Sequence, residues 1–120
     1  MGKFVIRQTN TGFKFDLKAT NGEIIATSEV YNTKAACIKG AESVAKNAPT
    51  ANFADLTKEE TAVNPKFEMY QDKAGEYRFR LVARNGEIIA VSEGYVSRGN
   101  CENGIDSVRR NAADAEIVEQ

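Results

Sequence analysis

The chain has 120 residues, 42% of them hydrophobic and 28% charged, which suffices for one ordinary folded domain and is too apolar for a disordered segment. Its 16 basic and 17 acidic side chains leave a net charge of −1, so no bulk field draws it to nucleic acid or to an anionic membrane. No apolar run approaches the ~18 residues of a membrane-crossing helix, and the first seven residues lack the apolar stretch of a secretory signal. A cytosolic location is therefore expected.

A first strand is predicted over 3–8, followed by a turn at Thr9–Gly12. Phe13, Phe15, Leu17 and Ala19 then alternate with polar residues, which predicts a second strand over 13–20. Asn21-Gly22 predicts a two-residue type I′ hairpin, whose central positions both need positive φ, and a third strand follows over 23–30. Thr33 can cap a helix of about 15 residues by accepting from its first-turn amides. Asn47 tolerates the left-handed conformation that ends such a helix. A short fourth strand is predicted over 51–56, and 57–65 reads as a linker. The series then starts again, with strands over 66–71, 77–84 and 87–94, the Asn85-Gly86 turn, the Ser97 cap, a helix ending at Asn111 and a last strand over 115–119.

The recurrence is in the residues as well as in the elements. A shift of 64 lays 13–48 over 77–112 without a gap, and half of the positions are identical. Asn21-Gly22-Glu23-Ile24-Ile25-Ala26 falls on Asn85-Gly86-Glu87-Ile88-Ile89-Ala90, and Cys37, Gly40, Ser43 and Val44 fall on Cys101, Gly104, Ser107 and Val108. The expected architecture is α+β: tandem β-β-β-α-β repeats forming one antiparallel sheet, with two helices on one face. Repeat one spans 3–56 and repeat two 66–119, in a single domain of residues 1–120 with pseudo-two-fold symmetry, because either half alone is undersized for a core.

With two-residue turns, Ala19 would face Ile24 and Leu17 would face Ala26 on the covered side. The outward pairs would be Lys14/Glu29, Asp16/Thr27 and Lys18/Ile25, or Arg78/Glu93, Arg80/Val91 and Val82/Ile89. A polar outer face can meet water. In repeat two it reads as an apolar patch rimmed by cations, so Tyr70, Arg78, Arg80, Val82, Arg84, Ile89 and Val91 form the expected contact face.

The runs Gly75-Glu76-Tyr77-Arg78-Phe79-Arg80-Leu81, Asn85-Gly86-Glu87-Ile88-Ile89-Ala90, Ser92-Glu93-Gly94-Tyr95 and Gly104-Ile105-Asp106-Ser107-Val108-Arg109-Arg110-Asn111-Ala112 resemble the YegP-like family of small bacterial proteins, built from a domain of unknown function. Repeat one departs from that pattern at Asp16, Val30 and Ala41. The resemblance implies a single sheet with the fourth strands exchanged between repeats. It implies no established activity and no catalytic residues.

The residues point the same way. The chain has no histidine, which removes the usual near-neutral acid and base. Glu29 and Glu93 are expected in cross-strand ion pairs with Lys14 and Arg78, and Tyr31 and Tyr95 in packing over the helix starts. Cys37 and Cys101 cannot supply the four ligands of a zinc site and read as small buried hydrophobes. No cofactor and no metal are expected. A monomeric, non-enzymatic binding or accessory module with a protein partner is therefore expected; the alternative is a weak nucleic-acid binder using the same face, and an enzyme is the less favoured reading. Sheet-based RNA binders stack bases on exposed aromatics, and here only Tyr70 points outward.

Overall fold

The computed structural model describes residues 2–120. Its elements, in chain order, are β1 (Lys3–Gln8), β2 (Phe13–Lys18), β3 (Ile24–Thr27), α1 (Lys34–Asn47), β4 (Asn52–Asp55), β5 (Lys66–Gln71), β6 (Tyr77–Val82), β7 (Ile88–Val91), α2 (Arg98–Ala112) and β8 (Glu116–Glu119). Among the described residues the strands form one sheet in the order β4-β5-β6-β7-β3-β2-β1-β8. Thr33 and Ser97 cap the helices by accepting from the amides of Ala36 and Asn100.

Period-two alternation puts Phe4, Ile6, Phe15, Leu17, Phe67, Met69, Phe79 and Leu81 on one side of the sheet. Both helices cover that side, through Cys37, Ala41 and Val44 of α1 and Cys101, Ile105 and Val108 of α2, and all of these residues join one cluster. The two halves thus share a core. Both cysteines are free and fully buried, and burial pushes the Cys101 thiol up to about 11.

The sheet is mixed rather than antiparallel. β4 pairs in parallel with β5, and β8 pairs in parallel with β1, so each fourth strand lies against the first strand of the other repeat. The segment after β4 runs back along that strand before β5 begins, so both strands start at the same end. The amide of Asn52 marks that start by bonding to the carbonyl of Pro65 at 2.9 Å.

The hairpins also differ from the two-residue expectation. Gly22 and Gly86 have φ of 87° and 89°, whereas Asn21 and Asn85 are not left-handed. The Gly22 amide bonds to the Ala19 carbonyl, and the Ala19 amide bonds to the Glu23 carbonyl. This is a type I turn closed by a left-handed glycine, one residue longer than type I′. A bulge absorbs the difference: Lys18 faces Ile24 and Leu17 faces Ala26, leaving Ile25 without a partner. Ile25 and Ala26 both turn into the core, so Ile25 is 8% exposed and Ile24 44%. In repeat two, Ile89 is 6% exposed and Ile88 38%.

The mid-helix glycines make room for aromatic rings. The Tyr31 ring stacks on Phe15 and the Tyr95 ring on Phe79, and each ends against a helix. A Cβ on Gly40 or Gly104 would stand 2.3 or 2.5 Å from the tyrosine hydroxyl. The tyrosines therefore pack at mid-helix rather than over the helix starts. Nor does Asn47 turn left-handed. It keeps helical φ, and its side-chain amide donates to the Ser43 carbonyl at 2.8 Å, as Asn111 does to Ser107.

Matched ion pairs pin the ends of the fourth strands. Asp55 at the end of β4 pairs with Arg98 at the start of α2, and Glu119 at the end of β8 pairs with Lys34 at the start of α1. Burial alone would raise the Asp55 carboxyl, but hydrogen bonds from Thr57 and the nearby Arg98 outweigh it and hold the group below the usual range. A carboxyl depressed in the folded state stabilises fully above its unfolded pKa, and that contribution is lost as pH falls through the folded value. Urea stability is expected to decline below about pH 4. Asp55→Asn should cost about 1–3 kcal/mol at pH 7 and flatten this acid slope, as urea titrations at pH 7 and pH 3 would measure.

Candidate functional site: the open face of the sheet

The side of the sheet opposite the helices carries Lys14, Asp16 and Lys18 from β2, Arg7 from β1, Thr27 from β3, Lys66, Glu68 and Tyr70 from β5, Arg78 and Arg80 from β6, and Val91 from β7. Of the expected contact residues, Tyr70, Arg78, Arg80 and Val91 are half-buried on this face. The other three are not available there. Ile89 belongs to the core, because the bulge turns it inward. Val82 is 6% exposed, covered where it faces Lys66 on one side and Ile88 on the other. Arg84 lies in the hairpin turn beyond β6, beside Glu42, Ser43, Lys46 and Asn47 near the end of α1. The apolar patch read from the sequence therefore does not exist as a patch.

The cations of repeat two are already engaged. Arg78 donates from Nε to Asp72 at 2.7 Å and from Nη1 to the Ser92 carbonyl at 3.3 Å, in place of the expected pair with Glu93. Arg80 donates to Glu68 at 2.8 Å and lies 4.9 Å from the centre of the Tyr70 ring. Burial pushes the Glu68 carboxyl up, but hydrogen bonds from Arg80 and Lys66 bring it below its ordinary value. This half of the face is a closed layer of ion pairs and one stacked ring.

Repeat one is built differently at the matched positions. Where repeat two has Tyr70 and Arg80, repeat one has Arg7 and Asp16. Arg7 Nε donates to one Asp16 oxygen at 2.9 Å, and the Thr27 hydroxyl donates to the other at 2.8 Å. This pair differs from the Arg80–Tyr70 stack of repeat two, in which Arg80 leans toward β5. A hollow of about 370 Å³ lies at the junction of the repeats, lined by Arg7, Lys14, Asp16, Ile24, Thr27 and Val91, with Glu93 from repeat two and the edge of Ala26. β3 and β7 meet there at a single paired position, Thr27 against Val91.

The hollow is lined by charged and aliphatic side chains. Arg7 and Lys14 face each other across β1 and β2, which sets two cations side by side. Among the described residues, neither Lys14 nor Glu93 forms an ion pair, and the expected Lys14–Glu29 pair is not made. No group of three or more metal-ligating side chains is found among the described residues. Sequence reading missed Arg7 and Thr27. The register of β1 on β2, with Arg7 opposite Lys14, was the signal that could have found Arg7.

A family model described as a domain of unknown function, DUF1508, matches residues 9–55 and matches again at 72–119. The chain belongs to that family. A UPF0339 protein encoded in the ptx operon 5′ region of Stutzerimonas stutzeri is 36% identical over 119 residues, spanning 98% of this chain and 96% of the relative. A UPF0339 protein of Treponema denticola is 59% identical over 54 residues, spanning 45% of this chain but 93% of the relative. That DUF1508 relative has the length of one repeat. The solution structure of yegP from E. coli, a protein of unknown function, matches with a TM-score of 0.80 at 32% identity, covering 99% of this chain and 92% of that one. The YegP-like resemblance and the α+β fold class both hold. The function of the DUF1508 family is not established by these relatives.

Proposed function

We propose that the protein is a non-enzymatic binding module that holds a protein partner on the open face of the sheet, at the hollow where the two repeats meet. The observation that carries this reading is the hollow itself, with Lys14 and Glu93 in its lining and in no ion pair among the described residues. Unpaired charges and half-buried apolar side chains around a concavity are what a partner can exploit. The cations best placed for phosphates, Arg78 and Arg80, are occupied by Asp72 and Glu68, and the Tyr70 ring is covered, which argues against nucleic acid. We further propose a cytosolic monomer, since each fourth strand already finds its partner within the chain.

Capture from a bacterial lysate tests the site. Val91→Arg would fill the hollow, and its melting temperature is measured first to establish that it is folded, since the new cation faces Arg80 on β6. The folded variant is expected to abolish capture, while Lys39→Ala on the exposed side of α1 leaves capture intact. A partner retained by Val91→Arg would remove this face from consideration and direct the search to the helices.

A further inference from the structure

The positions of the charges around the hollow define its ligand more narrowly. Thr27 stands opposite Asp16 on one side and opposite Val91 on the other, which fixes a central row. β2 and β7 both run antiparallel to β3, so they run parallel to each other. Lys14 lies two residues before Asp16, and Glu93 two residues after Val91. The two side chains therefore lie at opposite ends of the hollow, about four residues apart along the strands, or roughly 13 Å. One end is cationic, with Lys14 beside Arg7, whose guanidinium uses Nε on Asp16. The other end carries the carboxylate Glu93 beside the exposed Ile24, with Lys18 facing Ile24 from β2 on the far side. Val91 and Thr27 lie between them.

Resting on the reading of this face as a binding site, we propose that its ligand is an extended peptide segment with the pattern acidic–x–aliphatic–x–basic. In an extended chain the first, third and fifth residues share one face and span the same ~13 Å. The acidic side chain meets Lys14 and Arg7, the aliphatic one covers Val91, and the basic one meets Glu93. Charge complementarity of this kind sets orientation and register more than affinity. The site thus selects a segment of mixed charge and rejects one of uniform charge at whichever end repels it.

The test uses the full chain, labelled with ¹⁵N, and three peptides with blocked termini: Glu-Ser-Val-Ser-Lys, Glu-Ser-Val-Ser-Glu and Lys-Ser-Val-Ser-Lys. The mixed peptide should shift the amides of Arg7, Lys14, Thr27, Val91 and Glu93 at low ionic strength, and the shifts should fade with added salt. Lys14→Met and Glu93→Gln, both folded by melting temperature, should each weaken it about fivefold, the scale of one exposed ion pair. Equal binding of all three peptides at this face would overturn the charge pattern while leaving the face as a binding site. No shift on this face from any peptide would also overturn it, and the lysate capture with Val91→Arg would then decide separately whether the face binds a partner at all.

Discussion

Phe79→Ala is expected to unfold both repeats in one transition, at a stability lower by about 3–5 kcal/mol. Phe79 is fully buried, meets Phe67 edge-on with ring centres 5.9 Å apart, and stacks on Tyr95 at 6.3 Å. Its ring also comes within 3.1 Å of where a Cβ on Gly104 would stand, so α2 rests on it. Truncation would leave a cavity between sheet and helix, lined by side chains too well packed to collapse into it. Repeat one would not survive alone, because its β4 is held by β5 and the two halves share a single apolar cluster. Marginal stabilities of 5–15 kcal/mol are usual, so such a loss removes a large fraction. Urea melts followed by Tyr fluorescence and by far-UV circular dichroism should coincide. Two separated transitions, with half of the structure surviving the first, would show that the repeats are independent domains.

Residues 66–120 expressed alone are expected to be folded only as a dimer, and the full chain to be a monomer. In the isolated half, β8 loses β1, and the outer edge of β5 loses β4. A second copy supplies both, its β5 taking the place of β1 and its β8 the place of β4. The β3–β7 contact would become β7 against β7, by the same pseudo-two-fold. Light scattering should return twice the mass of the half-chain, with dissociation and unfolding coupled on dilution. The Treponema denticola relative, of which 93% is covered by 54 aligned residues, shows that chains of about this length occur in the family. A folded monomer of 66–120 would mean that the half satisfies its own edges, against the pairing described here.

Much of the fold was legible because the core dictates residues by period. Phe15, Leu17, Phe79 and Leu81 alternate and all point inward, and the Thr33 and Ser97 caps are local signals that need no tertiary context. The misplaced face of Ile89 traces to the hairpin. Asn-Gly suits both a type I′ turn and a type I turn closed by a left-handed glycine, and those loops differ by one residue. Nothing within Asn85-Gly86-Glu87-Ile88-Ile89 chooses between them; the choice rests on burying Ile89 rather than Ile88, which requires the helix to be in place. One residue of register therefore moved Ile89 from the expected contact face into the core. The parallel edges were equally invisible within a repeat, since the partner of each fourth strand belongs to the other. The hollow was missed for a subtler reason. It is lined by residues of four strands from both repeats, which come together only once the strands lie side by side.

The parallel pairing at both margins of the sheet has a consequence for how the backbone is threaded. β4 and β5 begin together at Asn52 and Lys66, bridged by the segment 56–65, and β8 and β1 begin together at Glu116 and Lys3 without a bridge. The two margins are geometrically equivalent, so a copy of 57–65 inserted between Gln120 and Gly2 spans the second as the native segment spans the first. Opening the chain within 57–65 would then yield a circular permutant with the same sheet, the same core and the same hollow, but with the order of the repeats reversed. Which repeat comes first is an accident of where the chain is cut, whereas the inequality between Arg7–Asp16 and Tyr70–Arg80 survives any cut. The two sides of the open face are told apart by side chains alone.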